Sequence, residues 1–235
     1  MKKLTYTDML ADLGITSAHP GGSFLTKKIL TKESITPDKK ILDVGCGTGQ
    51  TAVFLAKTYK CDVIAIDAHT TMIRKAKKRF EKNELPIKLI KANAEKLPFS
   101  DEIFDFITAE SVIAFTQTSQ SLPEMVRVLK KAGRLISIEM TAENNLSEDE
   151  KKEITEVYGI ERVFTEEEWK EEFLRAGFTE VMIEEDHDRP KEFIGEKNDP
   201  SNYIDPNVFE ILQTHSSLLE KLNGRLGYRI FRCLK

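Results

Sequence analysis

The sequence predicts one α/β domain built on a doubly wound, mostly parallel sheet of seven strands, with helices on both faces. Three observations predict it. Short β-branched runs alternate along the chain with longer segments of helical period, the pattern of strands joined by covering helices. The run Ile41-Leu42-Asp43-Val44 passes directly into Gly45, Gly47 and Gly49 before a helical pattern opens, so a strand delivers bare backbone and helix N-terminal amides to one place. The chain has 235 residues and is 40% hydrophobic, enough to bury a full core as a single domain spanning 1–235.

Taken in order, a helix over 22–30 follows the turn His19-Pro20-Gly21-Gly22, and the first strand over 40–44 feeds the glycines. A helix over 51–58 leads to the strand 62–67, which closes the run VIAID on Asp67. Helix 70–83 and strand 87–91 follow, then strand 104–109 in the segment FDFITAE. Helix 121–130 is predicted to end on Lys131-Ala132-Gly133 before the strand 134–139. Helix 165–176 ends on Gly177 and carries Trp169 among charges at helical spacing, the position of a core anchor. Strand 180–185, helix 206–222 and strand 228–233 complete the set. Residues 141–164, with the charged run 147–153, lie where a parallel sheet exposes its carboxyl edge, and read either as a solvated helix-loop excursion or as a substrate lid. Residues 186–205 read as a polar loop with Pro190 and Pro200.

Charge limits the partners. With 35 basic and 39 acidic residues the net charge is −4, which offers no footprint for nucleic acid or an anionic membrane. No apolar stretch follows Lys2 and Lys3 at signal-peptide length, and no later run approaches a bilayer span, so the expectation is a cytoplasmic chain without stable membrane insertion. Cys46, Cys61 and Cys233 form no C-x-x-C pair, and no second His or Cys stands at ligand spacing, so neither a disulfide nor a metal is assigned. His69 and His215 read as surface residues, and His187 has acidic neighbours in EEDHDRP. The oligomeric state is not legible.

The glycine loop calls for a nucleotide. Asp67 lies at roughly the spacing of about 20 residues at which a strand-end carboxylate takes the hydroxyls of a ribose, with Ala68 beside it; the competing reading is a cap for the helix that starts near Thr70. The nicotinamide fingerprint G-x-G-x-x-G would need a third glycine at position 50, and that residue is Gln50.

From Gly45 the pattern is G-x-G-x-G preceded by Asp43, followed further on by Asn93-Ala94-Glu95 with Leu97-Pro98-Phe99 and then by FDFITAE. In this order the chain resembles the class I S-adenosylmethionine-dependent methyltransferases, in a subgroup similar to the ubiquinone and menaquinone C-methyltransferases, over roughly 39–185. The resemblance implies a seven-stranded Rossmann-like sheet, S-adenosyl-L-methionine as cofactor and S-adenosyl-L-homocysteine as product. It implies that Asp43 holds the methionine amino group and that Gly45 and Gly47 let the backbone pass close to the cofactor, with Gly49 opening the next helix. Asp67 and Ala68 would meet the ribose. Met72 would lie against the adenine, unless it is a core methionine, and Asn93 would stand, with Ala94 and Glu95, where the family has an acidic acceptor for the adenine amine. Ala109 and Glu110 would lie beside the methionine moiety.

Residues 1–38 are expected to form a helical N-terminal lid, in which Gly21 and Gly22 touch the cofactor by backbone and His19 is either a surface residue of a turn or a substrate-facing base. Glu110 is the other candidate catalytic residue, as a base or as electrostatic support for the sulfonium. The implied reaction is in-line displacement of a methyl group onto a small-molecule acceptor: Ala109-Glu110-Ser111-Val112 lacks the Asn/Asp-Pro-Pro-aromatic signature of adenine and glutamine methylation. Two other readings remain, a protein that binds the cofactor without transferring methyl and a nicotinamide-dependent oxidoreductase.

Overall fold

The computed structural model of the protein describes residues 4–143, 145–185 and 198–235. Seven strands, β1 (Lys40–Val44), β2 (Asp62–Asp67), β3 (Lys88–Lys91), β4 (Phe104–Glu110), β5 (Leu129–Ala142), β6 (Glu180–Glu184) and β7 (Leu226–Leu234), form one sheet in the order β3-β2-β1-β4-β5-β7-β6. The first five are parallel, and β7 runs antiparallel between β5 and β6. The order reverses between β1 and β4, so the ends of these two strands open the crevice in which open α/β sheets hold ligands.

The helices are α1 (Tyr6–Leu13), α2 (Gly22–Leu30), α3 (Gln50–Tyr59), α4 (Thr70–Lys82), α5 (Thr118–Val128), α6 (Glu148–Tyr158), α7 (Glu166–Ala176) and α8 (Asn207–Leu222). Two apolar clusters lie on opposite faces of the sheet. One contains Leu42, Ile107, Met125, Phe173 and the fully buried Trp169, whose indole N–H donates to Met140 O at 2.9 Å. The other contains Leu25, Leu55, Ala65 and Phe80. A third, smaller cluster joins α6 and α8 through Ile154, Tyr158, Leu218 and Leu222, with Tyr6 of α1 against it.

Within the segment 141–164, Glu148–Tyr158 form helix α6, which starts on a capping box: Ser147 and Glu150 satisfy each other's backbone amides. Helix α1 starts on the same device, Thr5 with Asp8. Helix α5 does not reach Gly133 as the sequence predicted; it stops at Val128, and β5 begins at once. The register between β4 and β5 jumps from Phe104↔Leu129 to Phe106↔Arg134, so Lys130 to Gly133 are a bulge, with Ala132 at φ +59°, rather than a helix cap. Gly177 does cap α7, at φ +112°.

Buried charges tie the outer strands to the N-terminal segment. Glu33, after α2, accepts from Arg232 Nε of β7 at 2.6 Å and from Arg134 of β5 at 2.9 Å, and Arg232 also meets Glu184 of β6. Among the described residues, no helix is long and apolar enough to cross a membrane.

Candidate active site

A cavity of about 1030 Å³ opens at the carboxyl ends of β1, β2 and β4. The end of β1 supplies Asp43, Gly45 and Gly47, and β2 supplies Asp67 and Ala68. Met72 of α4, the turn Asn93-Ala94-Glu95, Glu110 of β4, and His19 and Gly21 of the N-terminal segment line it as well. Of the residues singled out in the sequence, Gly22, Gly49 and Ala109 do not. Gly22 is buried as the first residue of α2, and Ala109 is wholly buried in the core face of β4. Gly49 is an N-cap at φ +83°, where a Cβ would come within 2.4 Å of the Phe80 ring, so its place is the close contact of α3 with α4. Gln50, at the position of the missing third glycine, binds Arg79 of α4.

Asp43 is a buried carboxyl at the end of β1. It is 2% exposed, and one oxygen accepts from Thr108 Oγ1 at 2.9 Å while Oδ2 has no hydrogen-bond partner among the described residues. Burial, reinforced by the nearby Glu110, pushes its carboxyl up to about 8. A buried oxygen left without a donor calls for one from a ligand, and a cationic amine answers both the missing bond and the charge. Gly47, at φ +53°, has nothing within 4 Å of where a Cβ would be, so this backbone presents a bare face to the cavity.

Asp67 accepts from Gly47 N at 2.9 Å and from His69 N at 2.7 Å, which fixes both carboxylate oxygens while leaving each a lone pair for a hydroxyl. Burial raises its pKa. The cap of α4 is His69 itself, whose ring accepts from Thr71 N while Nε2 lies 3.1 Å from Asp8 of α1; it is only partly exposed, rather than the solvent-facing residue expected, because α1 packs beside it. Asn93 Oδ1 accepts from Glu95 N at 3.0 Å, and its amide donates to Glu95 Oε2 at 3.1 Å, so the turn holds itself rigid and Oδ1 keeps one lone pair.

Glu110 binds three elements together. Its oxygens accept from Thr26 Oγ1 of α2 and Thr51 Oγ1 of α3, each at 2.6 Å, and His19 Nε2 lies 3.6 Å away. His19 is 6% exposed, not a surface histidine, since the N-terminal segment folds inward over β4. Nδ1 faces Pro20 O at 3.0 Å and Nε2 faces Thr26 Oγ1 at 3.1 Å. With both nitrogens engaged, His19 positions the segment rather than offering a free base.

Sequence reasoning missed the far end of the cavity. Tyr6, Phe115, Tyr158 and His215 line it, with Tyr158 Oη 2.9 Å from His215 Nδ1. His215 is therefore a partly buried wall residue, not a surface one, because α8 turns it toward α6. The signals for this wall were the capping boxes at Thr5 and Ser147, which mark where α1 and α6 begin within the expected helical lid and helix-loop excursion. Glu139 of β5 was missed too: it is fully buried and accepts from the amides of Ile113 at 3.1 Å and Ala114 at 3.2 Å, fixing the loop after β4.

Cys46, Cys61 and Cys233 are buried free thiols. No cluster of three or more His, Cys, Asp or Glu able to hold a metal ion occurs among the described residues, and His187 lies outside them.

A family profile described as "Methyltransferase domain" matches residues 42–137. The chain is 39% identical to an "Uncharacterized methyltransferase YodH" of Bacillus subtilis, over 98% of this chain and 99% of that one. It is also 39% identical to a ubiquinone/menaquinone biosynthesis C-methyltransferase of Bartonella henselae, over 43% of this chain and 41% of that one. Among solved structures it is similar in fold to phosphoethanolamine N-methyltransferase 2 of Haemonchus contortus in complex with S-adenosyl-L-methionine, with a TM-score of 0.76 at 19% identity, covering 97% of this chain and 57% of that one.

Proposed function

The chain belongs to the class I S-adenosylmethionine-dependent methyltransferases, and from that premise we propose that it methylates a small-molecule acceptor within the cavity at the end of β1 and β4. The observation that carries this reading is the buried, unpartnered Asp43 Oδ2 beside the open backbone of Gly47. Together they fit the ammonium and the close-lying chain of an amino-acid moiety. When bound, the cofactor supplies an activated methyl group and its own leaving group.

The chain's residues then bind, orient and exclude water. Asp43 takes the amine. Asp67, immobilised by the amides of Gly47 and His69, takes the ribose hydroxyls, and Met72 flanks the adenine with Asn93 Oδ1 as acceptor for its amine. Glu110 holds negative charge near the reacting end. The N-terminal segment, from Tyr6 to Gly21, closes one side of the site as a lid, and Tyr158 of α6 contributes the other. The acceptor is small because the cavity is bounded on both sides, and neutral or cationic because no lysine or arginine lines it among the described residues.

Thermal unfolding tests the reading. S-adenosylhomocysteine and S-adenosylmethionine at a hundredfold excess over their dissociation constants should stabilise by about 2.7 kcal/mol, and Asp67→Ala should abolish the shift. A shift with NAD in their place would overturn it.

A further inference from the structure

The cavity is larger than one nucleotide needs, and its two ends differ in chemistry. At the β1 end the wall carries the carboxylates Asp43, Asp67 and Glu110 beside the bare backbone of Gly47. At the far end they are rings: Tyr6 and Phe115 lie with planes 6° apart at 6.1 Å, Tyr158 meets Tyr6 edge-on at 4.8 Å, and the His215 ring is 5.2 Å from Tyr6. These rings belong to α1, α6, α8 and the turn after β4. Such a wall favours a flat, unsaturated ligand, since aromatic pairs gain from stacked and edge-on geometry beyond the area they bury.

One polar device interrupts the apolar wall. Tyr158 Oη and His215 Nδ1 engage each other at 2.9 Å, so the nitrogen left to a ligand is Nε2, which has no hydrogen-bond partner among the described residues. Burial lowers the His215 pKa, so the ring is neutral at physiological pH and can donate or accept but presents no charge to an anion. Burial likewise raises Tyr158, which stays a neutral phenol. With no lysine or arginine in the cavity wall among the described residues, a carboxylate or phosphate on the acceptor would be left unpaired there, at a cost of several kcal/mol. Among the described residues, a cation would find ring faces but no carboxylate at this end.

Resting on the function proposed above, we propose that Tyr6, Phe115, Tyr158 and His215 form the acceptor subsite, that the acceptor is a neutral aromatic compound bearing a hydroxyl, and that His215 Nε2 hydrogen-bonds that hydroxyl. The rings fix the plane of the acceptor and His215 fixes its rotation within that plane. Tyr158 is a positioning residue that acts through His215.

2-Naphthol, whose own fluorescence reports binding, tests this on the whole protein with and without saturating S-adenosylhomocysteine. It should bind, at least tenfold more tightly than its saturated counterpart decahydro-2-naphthol or 2-phenylethylammonium in competition. His215→Phe should weaken 2-naphthol at least fivefold while leaving naphthalene unchanged, and Tyr158→Phe should give a smaller loss of the same kind. The idea is overturned if the saturated alcohol or the ammonium competes better, or if His215→Phe binds 2-naphthol as wild type does. The thermal shift with S-adenosylhomocysteine separates the two readings. Naphthol binding without that shift overturns the cofactor site alone, and the shift without naphthol binding overturns the subsite alone.

Discussion

The carboxylate of Glu139, in the middle of the sheet, accepts the backbone amide of Ile113 at 3.1 Å, on the loop that carries β4 into the cavity wall. The same carboxylate accepts from Ala114 N at 3.2 Å and Ser137 Oγ at 2.9 Å, which places a negative or hydrogen-bonding group under the start of the short 3-10 turn Ile113–Phe115. Glu139→Ala strands those buried donors, and a loss of about 3 kcal/mol of stability is expected by chemical denaturation. Glu139→Gln restores acceptors on one side only and should lose roughly half as much, on the same per-bond reasoning. Equal stability in all three proteins would show that the loop is held by something else.

Two glycines two residues apart should respond in opposite ways. At Gly47 a Cβ meets nothing within 4 Å, so Gly47→Ala should cost only the left-handed backbone penalty of about 1–2 kcal/mol while weakening S-adenosylhomocysteine at least tenfold by entering its space. At Gly49 a Cβ would press on Phe80 at 2.4 Å, and Gly49→Ala should destabilise by several kcal/mol with less effect on binding per folded molecule. Calorimetric titration alongside unfolding separates the two. Matching affinities at Gly47→Ala and wild type would remove the backbone from the cofactor's path.

The sheet was legible because each buried strand is a short β-branched run, and Asp43, Gly47 and Asp67 stand at strand ends that such runs locate. What the sequence hid depends on tertiary contact. Helix α6 was legible only as a solvated helix-loop excursion or a substrate lid over 141–164, because its buried face is only Ile154 and Tyr158, and both are paired with α8 far along the chain. His69 and His215 read as surface residues for the same reason: each is partly covered by an element distant in sequence, α1 and α6 respectively. His19, read as a surface residue of a turn or a substrate-facing base, is instead buried against Thr26 of the adjoining α2. Ala132 and Gly133 carried a helix-end signal, but a bulge uses the same backbone freedom, and only the pairing with β4 distinguishes them.

Binding at Asp43 should be visible as a proton. Asp43 is pushed up to about 8 and Glu139 up to about 7, so in the ligand-free fold both hold protons that an unfolded chain has released by pH ~5. Their contribution to stability is therefore fully present below the unfolded values and lost as pH rises through about 7 and 8. An ammonium placed on Asp43 Oδ2 favours the carboxylate. At pH 6.5, S-adenosylhomocysteine should thus release close to one proton, read from the dependence of the binding heat on buffer ionisation enthalpy, and its affinity should rise with pH toward 8. Asp43→Asn should release none. Proton uptake by the wild type would contradict the assignment.

Glu110 separates charge support from base catalysis. Both of its oxygens accept short hydroxyl bonds at 2.6 Å, from Thr26 and Thr51, and the nearest cationic candidate, His19, has both nitrogens engaged elsewhere. A carboxylate so occupied is poorly placed to take a proton from an acceptor, yet its charge would still act on a sulfonium bound beside it. Glu110→Gln keeps one acceptor and places an amide where the other hydroxyl can turn to accept, so stability should stay within ~1 kcal/mol of wild type. The positively charged S-adenosylmethionine should lose affinity by about tenfold, or ~1.4 kcal/mol, while the neutral thioether S-adenosylhomocysteine changes little. Competitive titration of the two ligands gives that ratio directly. Unchanged affinity for both, with turnover down by more than a thousandfold and the acidic limb of the pH profile gone, would make Glu110 the base, and the lid formed by His19 and Thr26 would then have to open for each proton it takes.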